Sequence, residues 1–415
     1  MTPSAEYMNQ PFELAIKFFR NKVNLPTENW DDLWQGMHAR AFVVAGAMKS
    51  DLLCDLRSAV DKAISQGTTL AEFRKDFDAL VDKHGWSYEG GRKWRSAVIY
   101  NTNLSVAYAS GHYEAMQEVK KLRPFWRYVP SSSKNPRDDH RQWYNTVLPA
   151  DDPFWDTHYP PNDWGCKCGV TNHSAREVER LKKKFEGTEF PISEERPEVT
   201  HYEWVDKRNH THVIPKGIGP GWDYNPGKAA WGKKLETEAM EEWKAKKKAA
   251  WDPITPGNYR SYERPAVIPM DPPLREVGPK LTTIPAAEEA LKEILGGEAK
   301  TFLFDKIGFR YPVRIDAKVM AEHVDLNRTP FLSLIPEILT DPYEVWQCFE
   351  KHGGTGKVIL RTRFFRAFEG SRKKGYMVVL DAQNGFFEGW TFIPTDKSKD
   401  LNPNRYGRLV YAREE

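Results

Sequence analysis

The sequence predicts a multidomain protein of the α+β class, and three observations support this. The chain has 415 residues, more than one ordinary hydrophobic core accommodates, so two or three domains are expected. Apolar residues at helical spacing dominate roughly its first 120 residues, whereas strand-like runs dominate its end. The segments between them are rich in Trp, Pro and Gly, which favour irregular structure.

The composition narrows the class of protein. Hydrophobic residues make up 40% and charged residues 29% of the chain, and no apolar run reaches the length of a membrane span. We therefore expect a soluble protein with neither a secretory signal nor a membrane span. The 4 cysteines argue against a disulfide scaffold. The formal net charge of +3 creates no global field for nucleic acid, so such binding would need a local basic patch.

Helical patterns organise the N-terminal part. Apolar spacing predicts a helix near the start of the chain, and compatible spacing continues over residues 30–64. Thr69 and Glu72 form a capping-box pattern that opens another helix, and Gly85 is its expected end. A further helix is expected over residues 92–119. Because each helix is amphipathic, we expect them to bury a shared core.

The pattern changes in the middle of the chain. A short strand is expected at residues 125–130, followed by turns, aromatic residues and a charged helix at 174–187. Residues 190–280 are rich in Pro, Gly and charge, which is typical of a linker or extended arm. A short Lys-rich helix is expected inside this arm, at residues 241–251.

The C-terminal part is predicted to be a separate α+β domain. Helices are expected at residues 286–297, 317–327 and 342–354, with a strand-like segment at 302–315. Four strand-like runs joined by short turns predict a four-stranded antiparallel sheet; they cover residues 357–368, 375–385, 389–395 and 408–414.

Three domains follow from these patterns. Residues 1–185 would form a helical domain with an irregular Trp/Pro/Cys loop region. Residues 186–283 would form the Pro/Gly/Lys-rich arm, and residues 284–415 the α+β domain.

The most unusual local pattern is the pair Cys166 and Cys168, separated by one residue. This spacing makes a poor disulfide, because the ring that it closes is strained. A zinc site is one interpretation, since thiolates and imidazoles are preferred zinc ligands and His140, His158 and His173 lie nearby in the sequence. Burial of two small apolar side chains in a compact loop is the other. No partner pattern supports a nucleophilic cysteine.

The C-terminal part offers a second constellation. His323 is expected on a short helix, while Arg361, Arg363 and Thr391 are expected on strands. A histidine, arginines and a hydroxyl fit metal-independent RNA cleavage, in which a base takes the 2′-hydroxyl proton and arginine stabilises the charged phosphorane. A solvated basic face that binds phosphates without cutting them remains the alternative.

Three segments resemble the phage Mu F-like minor head proteins, the phage head morphogenesis family. They are residues 97–116, residues 125–170 with "RDDH", "DPFW" and the Pro-Pro turn before Cys-x-Cys, and residues 215–228 with "GPGWDYNPG". The resemblance covers roughly residues 1–250. Lys167 stands between the cysteines where many relatives have Arg.

The C-terminal domain is similar to nucleases of the barnase–EndoU–colicin–RelE superfamily. Residues 321–346 and 389–395 carry this likeness. It implies helices followed by a four-stranded antiparallel sheet. It also matches His323 to the helix histidine, Thr391 to a late-strand hydroxyl, and Arg361 or Arg363 to the arginine.

The resemblance implies a minor capsid protein of a tailed phage or prophage, with a non-enzymatic N-terminal region. It would be made in the host bacterial cytoplasm and lie inside the virion head near the portal, where it would assist head assembly, DNA packaging or DNA delivery. Its expected partners are the portal protein, capsid or scaffold proteins, and packaged DNA.

The alternative is a delivered effector whose C-terminal domain is a metal-independent ribonuclease with RNA as substrate. A structural zinc ion is the one cofactor that the pattern suggests, and a zinc-stabilised DNA-binding module is a third interpretation.

Overall fold

The computed structural model describes residues 12–232, 251–272, 277–307, 310–369 and 373–414. The chain divides into two compact units. The first comprises Met1–Arg20, Leu25–Lys234 and Thr355–Lys357, and the second comprises Asn21–Asn24, Leu235–Gly354 and Val358–Glu415. Within the described ranges, no helix combines the length and the apolar character needed to cross a bilayer.

Four helices provide much of the first unit: α1 (Glu13–Arg20), α2 (Ser50–Gln66), α3 (Leu70–His84) and α4 (Arg92–Glu118). The predicted start and end of α3 are confirmed. The Thr69 hydroxyl accepts from the Glu72 backbone N–H, while the Glu72 carboxylate accepts from the Thr69 backbone N–H at 2.8 Å. Gly85 ends the helix with a φ of 58°, in the left-handed region that favours glycine.

The helix predicted over residues 30–64 is wrong in its first half. Two short 3₁₀ helices (Trp30–Asp32 and Gln35–Ala39) and a strand, β2 (Ala41–Phe42), precede α2; β1 is Val23–Asn24. The Asp32 carboxylate accepts from the backbone N–H groups of Glu28 and Asn29, which closes a local turn. Gln35 has a φ of 46°, so an α-helix cannot continue through it.

A small antiparallel sheet follows α4. Its order is β4-β3-β5, from β3 (Phe125–Val129), β4 (Val147–Pro149) and β5 (Gly169–His173). The short helices α5 (Asp138–Arg141) and α6 (Phe154–His158) lie in its connections, and α7 (Ala175–Phe185) follows it. The predicted strand at 125–130 and the predicted charged helix at 174–187 are therefore confirmed. Trp126 is fully buried and packs edge-to-face against Tyr113 and Trp155.

The expected arm contains ordered structure. Strands β6 (His201–Val205) and β7 (Thr211–Pro215) form an antiparallel hairpin, and α8 (Pro226–Trp231) follows in the same unit. Residues 241–250 of the expected Lys-rich helix lie outside the described residues, and Trp251 begins β8 (Trp251–Pro253). The domain boundaries at residues 185 and 283 stay predictions.

The second unit is built on a mixed sheet of eight strands. Its main path runs β15-β11-β12-β13-β14-β10-β9, and β8 pairs with β11. The strands are β9 (Ala299–Phe304), β10 (Tyr311–Asp316), β11 (Glu344–His352), β12 (Val358–Ala367), β13 (Gly375–Gln383), β14 (Phe386–Thr395) and β15 (Arg408–Ala412). Helices α9 (Ile284–Leu295), α10 (Ala317–His323) and α11 (Ile335–Thr340) accompany it, with 3₁₀ helices at Leu326–Leu334 and Ser398–Asn404.

The sheet is larger than the predicted four strands, and it is not purely antiparallel. Residues 342–354, predicted as a helix, contain strand β11 in the interior of the sheet, and β10 pairs with β14 in parallel. The pattern of β11 was misleading because Glu344 and Glu350 are buried within the strand through ion pairs with arginines. A carboxylate inside a strand breaks the apolar alternation that identifies strands in a sequence.

The close approach of α1 to α4 generates a prediction. A methyl group added at Gly111 of α4 would lie 2.7 Å from the Ala15 backbone nitrogen and 2.8 Å from the Phe12 ring. We expect Gly111→Ala to lower the free energy of unfolding by roughly 1–3 kcal/mol through overpacking. Helix propensity alone predicts the opposite, a rise of about 1 kcal/mol in the free energy of unfolding. Chemical denaturation measures the difference, and Asn101→Ala at an exposed position of α4 is the control. A stabilised Gly111→Ala variant would contradict the close packing.

Candidate functional site

Three candidate ligand side chains meet in the first unit. His140 lies on α5, and Cys166 and Cys168 lie in the turn that leads into β5. The His140 Nδ1 atom is 3.8 Å from the Cys166 Sγ atom and 3.6 Å from the Cys168 Sγ atom. All three candidate ligand atoms lie within 4.8 Å of one another. This group is called the His-Cys-Cys cluster below.

A backbone carbonyl orients the His140 ring. The Nε2 atom is 2.9 Å from the Gly217 carbonyl oxygen, and that oxygen can only accept a hydrogen bond. Nε2 therefore carries the hydrogen, which leaves the Nδ1 lone pair facing the two sulfurs. Such a carbonyl contact is the usual way in which a metal-binding histidine is held in one tautomer. Gly217 itself has a φ of 92°, and a Cβ atom there would lie 2.9 Å from the Trp143 ring.

The two thiols share one proton network. A hydrogen bond from Cys168 lowers the pKa of Cys166 below its ordinary value, and this bond together with burial raises the pKa of Cys168. Cys166 is 7% exposed and also donates its backbone N–H to the Asp163 carbonyl. Both cysteines are free thiols. Two sulfurs and one imidazole nitrogen match the ligand chemistry of zinc, and one coordination position would remain for a further ligand.

The other two histidines considered from the sequence lie outside this cluster. His158 stacks on Phe154 with ring centroids 4.3 Å apart, and its Nδ1 atom is 2.8 Å from the Thr157 hydroxyl. Burial lowers the pKa of His158 to about 4. His173 on β5 contacts the Thr171 hydroxyl at 2.9 Å through Nε2. Sequence distance alone could not separate these histidines from His140.

In the second unit, two of the four predicted catalytic residues meet at the β14 strand. The Thr391 hydroxyl donates to the His323 backbone carbonyl at 2.9 Å. The His323 ring lies against Trp390, with centroids 3.7 Å apart, and its Nδ1 atom is 2.8 Å from the Val319 carbonyl oxygen. The contact to Thr391 therefore involves the backbone of His323 and not its imidazole.

The two predicted arginines belong to a different group, on strand β12. Arg361 contacts the Glu350 carboxylate at 2.7 Å and the Asp381 carboxylate at 3.2 Å. Arg363 pairs with Glu350 and donates to the Tyr406 hydroxyl at 2.7 Å. The Arg363 Nη1 atom is buried, and no described residue accepts a hydrogen bond from it. Strand β13 separates this group from β14.

A row of four charged residues crosses the sheet from β12 to β10. Arg361 of β12 is paired in register with Asp381 of β13, Asp381 with Glu388 of β14, and Glu388 with Arg314 of β10. Directly opposed residues project from the same face of a sheet, so the four side chains line one face. The exposed fraction of the side chain is 22% for Arg361 and 17% for Asp381. Burial raises the pKa of the Asp381 carboxyl.

These positions define the Arg361–Asp381 cluster, which comprises Glu350, Arg361, Arg363, Asp381 and Tyr406. In this cluster the Asp381 carboxyl, whose pKa is raised, lies beside the guanidinium of Arg361, which is held in place by Glu350. This arrangement suits proton transfer next to a bound phosphate. Sequence reasoning found the arginines and missed the other members. Glu350 was hidden by the helix prediction for residues 342–354. The signal available for Asp381 was its position in β13 between two apolar residues, Leu380 and Ala382, which are buried while Asp381 is not.

Comparisons with known proteins follow the same division of the chain. A family model described as "Phage Mu protein F like protein" matches residues 55–171, which include the His-Cys-Cys cluster. A second, "phage-Barnase-EndoU-ColicinE5/D-RelE like nuclease2", matches residues 289–412, which include the Arg361–Asp381 cluster and His323. No solved structure matches the chain significantly.

Two curated relatives match at the level of sequence. "Putative capsid assembly protein F" of Escherichia phage Mu is 35% identical over 243 residues, which is 54% of this chain and 55% of that protein. "Mu-like prophage FluMu F protein" of Haemophilus influenzae is 32% identical over 223 residues, 50% of this chain and 54% of that protein. The chain thus spans about half the length of these relatives. It carries a domain of the phage Mu F-like family, joined to a domain of the phage barnase–EndoU–colicin E5/D–RelE-like nuclease family.

Proposed function

We propose that this chain is a minor capsid protein that acts in phage head morphogenesis. The observation that carries the proposal is the 35% identity over 243 residues to a phage Mu protein named for capsid assembly. A second relative, from a Mu-like prophage, is similar over a comparable length. The first unit also exposes the rigid aromatic side chains of Trp94 and Trp164, with exposed fractions of 56% and 39%, and such side chains suit contacts with other proteins.

We also propose where the chain acts and which partners it meets. The chain lies inside the head near the portal, in few copies, and assists assembly, packaging or DNA delivery. Its partners there are the portal protein, capsid or scaffold proteins, and packaged DNA.

The head proposal predicts the content of purified particles. We expect mass spectrometry of DNA-filled heads from the phage or prophage encoding this chain to detect it in far fewer copies than the major capsid protein. The portal protein in the same sample is the internal control for recovery. Heads that contain the portal protein and lack this chain would exclude a virion role.

The His-Cys-Cys cluster supports a second proposal, a structural zinc ion held by His140, Cys166 and Cys168. The ring of His140 is already held with Nδ1 toward both sulfurs, so little side-chain freedom would be lost on binding. The ion would join α5 to the turn before β5. His158, the fourth ligand considered from the sequence, makes its contacts elsewhere and is not part of the proposed set.

Elemental analysis tests the zinc proposal. We expect about one zinc per full-length chain, because three preferred ligands converge. His140→Ala, Cys166→Ser and Cys168→Ser should each lose most of this zinc and lower the thermal midpoint of unfolding. Cys54→Ser and His158→Gln are matched controls, since both residues lie outside the cluster, and both should retain the metal. Equal zinc content in all five variants, or a metal-free wild-type chain, would count against the site.

A ribonuclease activity of the second unit is a second candidate function. The observation that favours it is the raised pKa of Asp381 beside Arg361 on a partly open sheet face. In this proposal Asp381 takes the proton of the RNA 2′-hydroxyl, and the 2′-oxygen attacks the adjacent phosphorus. Arg361 stabilises the charge on the phosphorane, and the bond to the 5′-oxygen breaks to leave a 2′,3′-cyclic phosphate, while the leaving 5′-oxygen takes a proton from water. His323 is the competing base, and Thr391 contacts the backbone carbonyl of that residue.

A cleavage assay with the full chain separates these two sites. We expect RNA cleavage to persist with a chelator present and to fall by about 100-fold or more in Asp381→Asn, because general-base catalysis contributes that much. Arg361→Lys should lose less, since it keeps the charge but not the bidentate geometry. His323→Ala is expected to retain activity within a few fold. Loss in His323→Ala with full activity in Asp381→Asn would move the site to β14, and an inactive wild-type chain would exclude the activity.

A further inference from the structure

Helix α7 (Ala175–Phe185) presents a row of basic side chains to solvent. Arg176, Arg180, Lys183 and Lys184 are all exposed. At 3.6 residues per turn, these four positions fall within an arc of about 100° around the helix axis. The opposite side carries Val178, which is 2% exposed, with the half-buried Leu181 and Phe185. The four exposed residues are called the α7 basic stripe below.

The acidic residues of α7 do not neutralise this stripe, because they have other partners. Glu177 caps the helix through the Ser174 backbone N–H at 2.8 Å and pairs with Arg123 at 3.0 Å. Glu179 pairs with Lys182 at 2.8 Å.

The stripe residues themselves form no ion pair with any residue in the described part of the chain. Lys184 lies 5.5 Å from the Phe185 ring centroid, a contact that leaves its charge uncompensated. The helix therefore offers four uncompensated positive charges on one face, in a chain whose formal net charge is only +3.

We propose that the α7 basic stripe binds the phosphate backbone of duplex DNA. Lys184 is eight positions after Arg176 on the helix, which places their Cα atoms about 12 Å apart along the axis. One strand of a duplex advances about 3.4 Å per phosphate, so the stripe spans several phosphates. Contacts of this kind depend on charge and spacing, and they carry no sequence preference.

Two other anionic partners fit the stripe less well. Single-stranded nucleic acid is usually held by aromatic side chains on which bases stack, and the stripe contains none. An anionic membrane surface is bound by helices whose apolar side enters the lipid, but in α7 that side is packed into the unit at Val178. A duplex backbone requires only the exposed cations. The inference rests on the proposed head function for its setting, since packaged DNA is the duplex that this protein would meet.

Salt-dependent binding of the full chain to a fluorescent duplex of about 20 base pairs tests the proposal. Fluorescence anisotropy should give binding that weakens steeply with salt. The variant R176Q/R180Q/K183Q/K184Q should bind about tenfold or more weakly at about 100 mM salt, and its slope of log K against log salt should be smaller by about 3 to 4. The pair R176K/R180K keeps the charge and should bind within about threefold of the wild-type chain.

The matched control removes the same charge elsewhere. K49Q/K75Q/K93Q/K216Q alters four exposed lysines outside α7, and it should keep most of the affinity and of the salt slope. If the two quadruple variants lost equal affinity for the duplex, the effect would come from net charge, and the proposed role of the α7 basic stripe would be overturned. No duplex binding by the wild-type chain, or equal binding to vesicles containing about one-third anionic lipid, would also overturn it. None of these outcomes bears on whether the chain is found in purified heads, so the two proposals fail separately.

Discussion

The two-sided contact of the His140 imidazole connects the irregular part of the first unit. Its Nε2–H donates to the Gly217 carbonyl just beyond β7, while Nδ1 faces the sulfurs of Cys166 and Cys168 before β5. Between β4 and β5 the chain has one short helix, α6, and few regular backbone ladders. A single buried side chain therefore links α5, the cysteine turn and the end of the β6–β7 hairpin. A bound metal ion would strengthen the link at its sulfur end.

The second unit depends on charges placed inside a sheet. Arg405 and Glu344 pair with both side chains fully buried, and Glu350 is buried between Arg361 and Arg363. Buried pairs of this kind contribute little net stability, because desolvation offsets the attraction. Removing one partner is costly, however, because it leaves an isolated buried charge. The main effect of these buried pairs is to fix positions, because Glu350 holds the guanidinium of Arg361 beside Asp381 on the partly open face of the sheet.

What could be predicted from the sequence was mainly what is local. The cap at Thr69 and the end of α3 at Gly85 depend on residues within one turn, and both are confirmed. Strand β11 was missed because its burial depends on arginines distant in the sequence. The folded hairpin at residues 201–215 was missed because Pro, Gly and charge are equally typical of arms and of turn-rich structure. His140 was among the candidate ligands, but its selection over His158 required the fold.

A zinc ion held by His140, Cys166 and Cys168 would join the cysteine pair to α5 in the first unit. Zinc K-edge X-ray absorption of the purified full chain tests it most directly, because the spectrum reports the atoms bound to the metal. We expect two sulfur neighbours at about 2.3 Å and at least one nitrogen neighbour at about 2.0 Å. A Cys166→Ser/Cys168→Ser variant should lose most of the bound zinc, and the sulfur contribution should be lost with it. A spectrum with only nitrogen or oxygen neighbours, or a chain that holds no zinc, would contradict zinc binding by the His-Cys-Cys cluster.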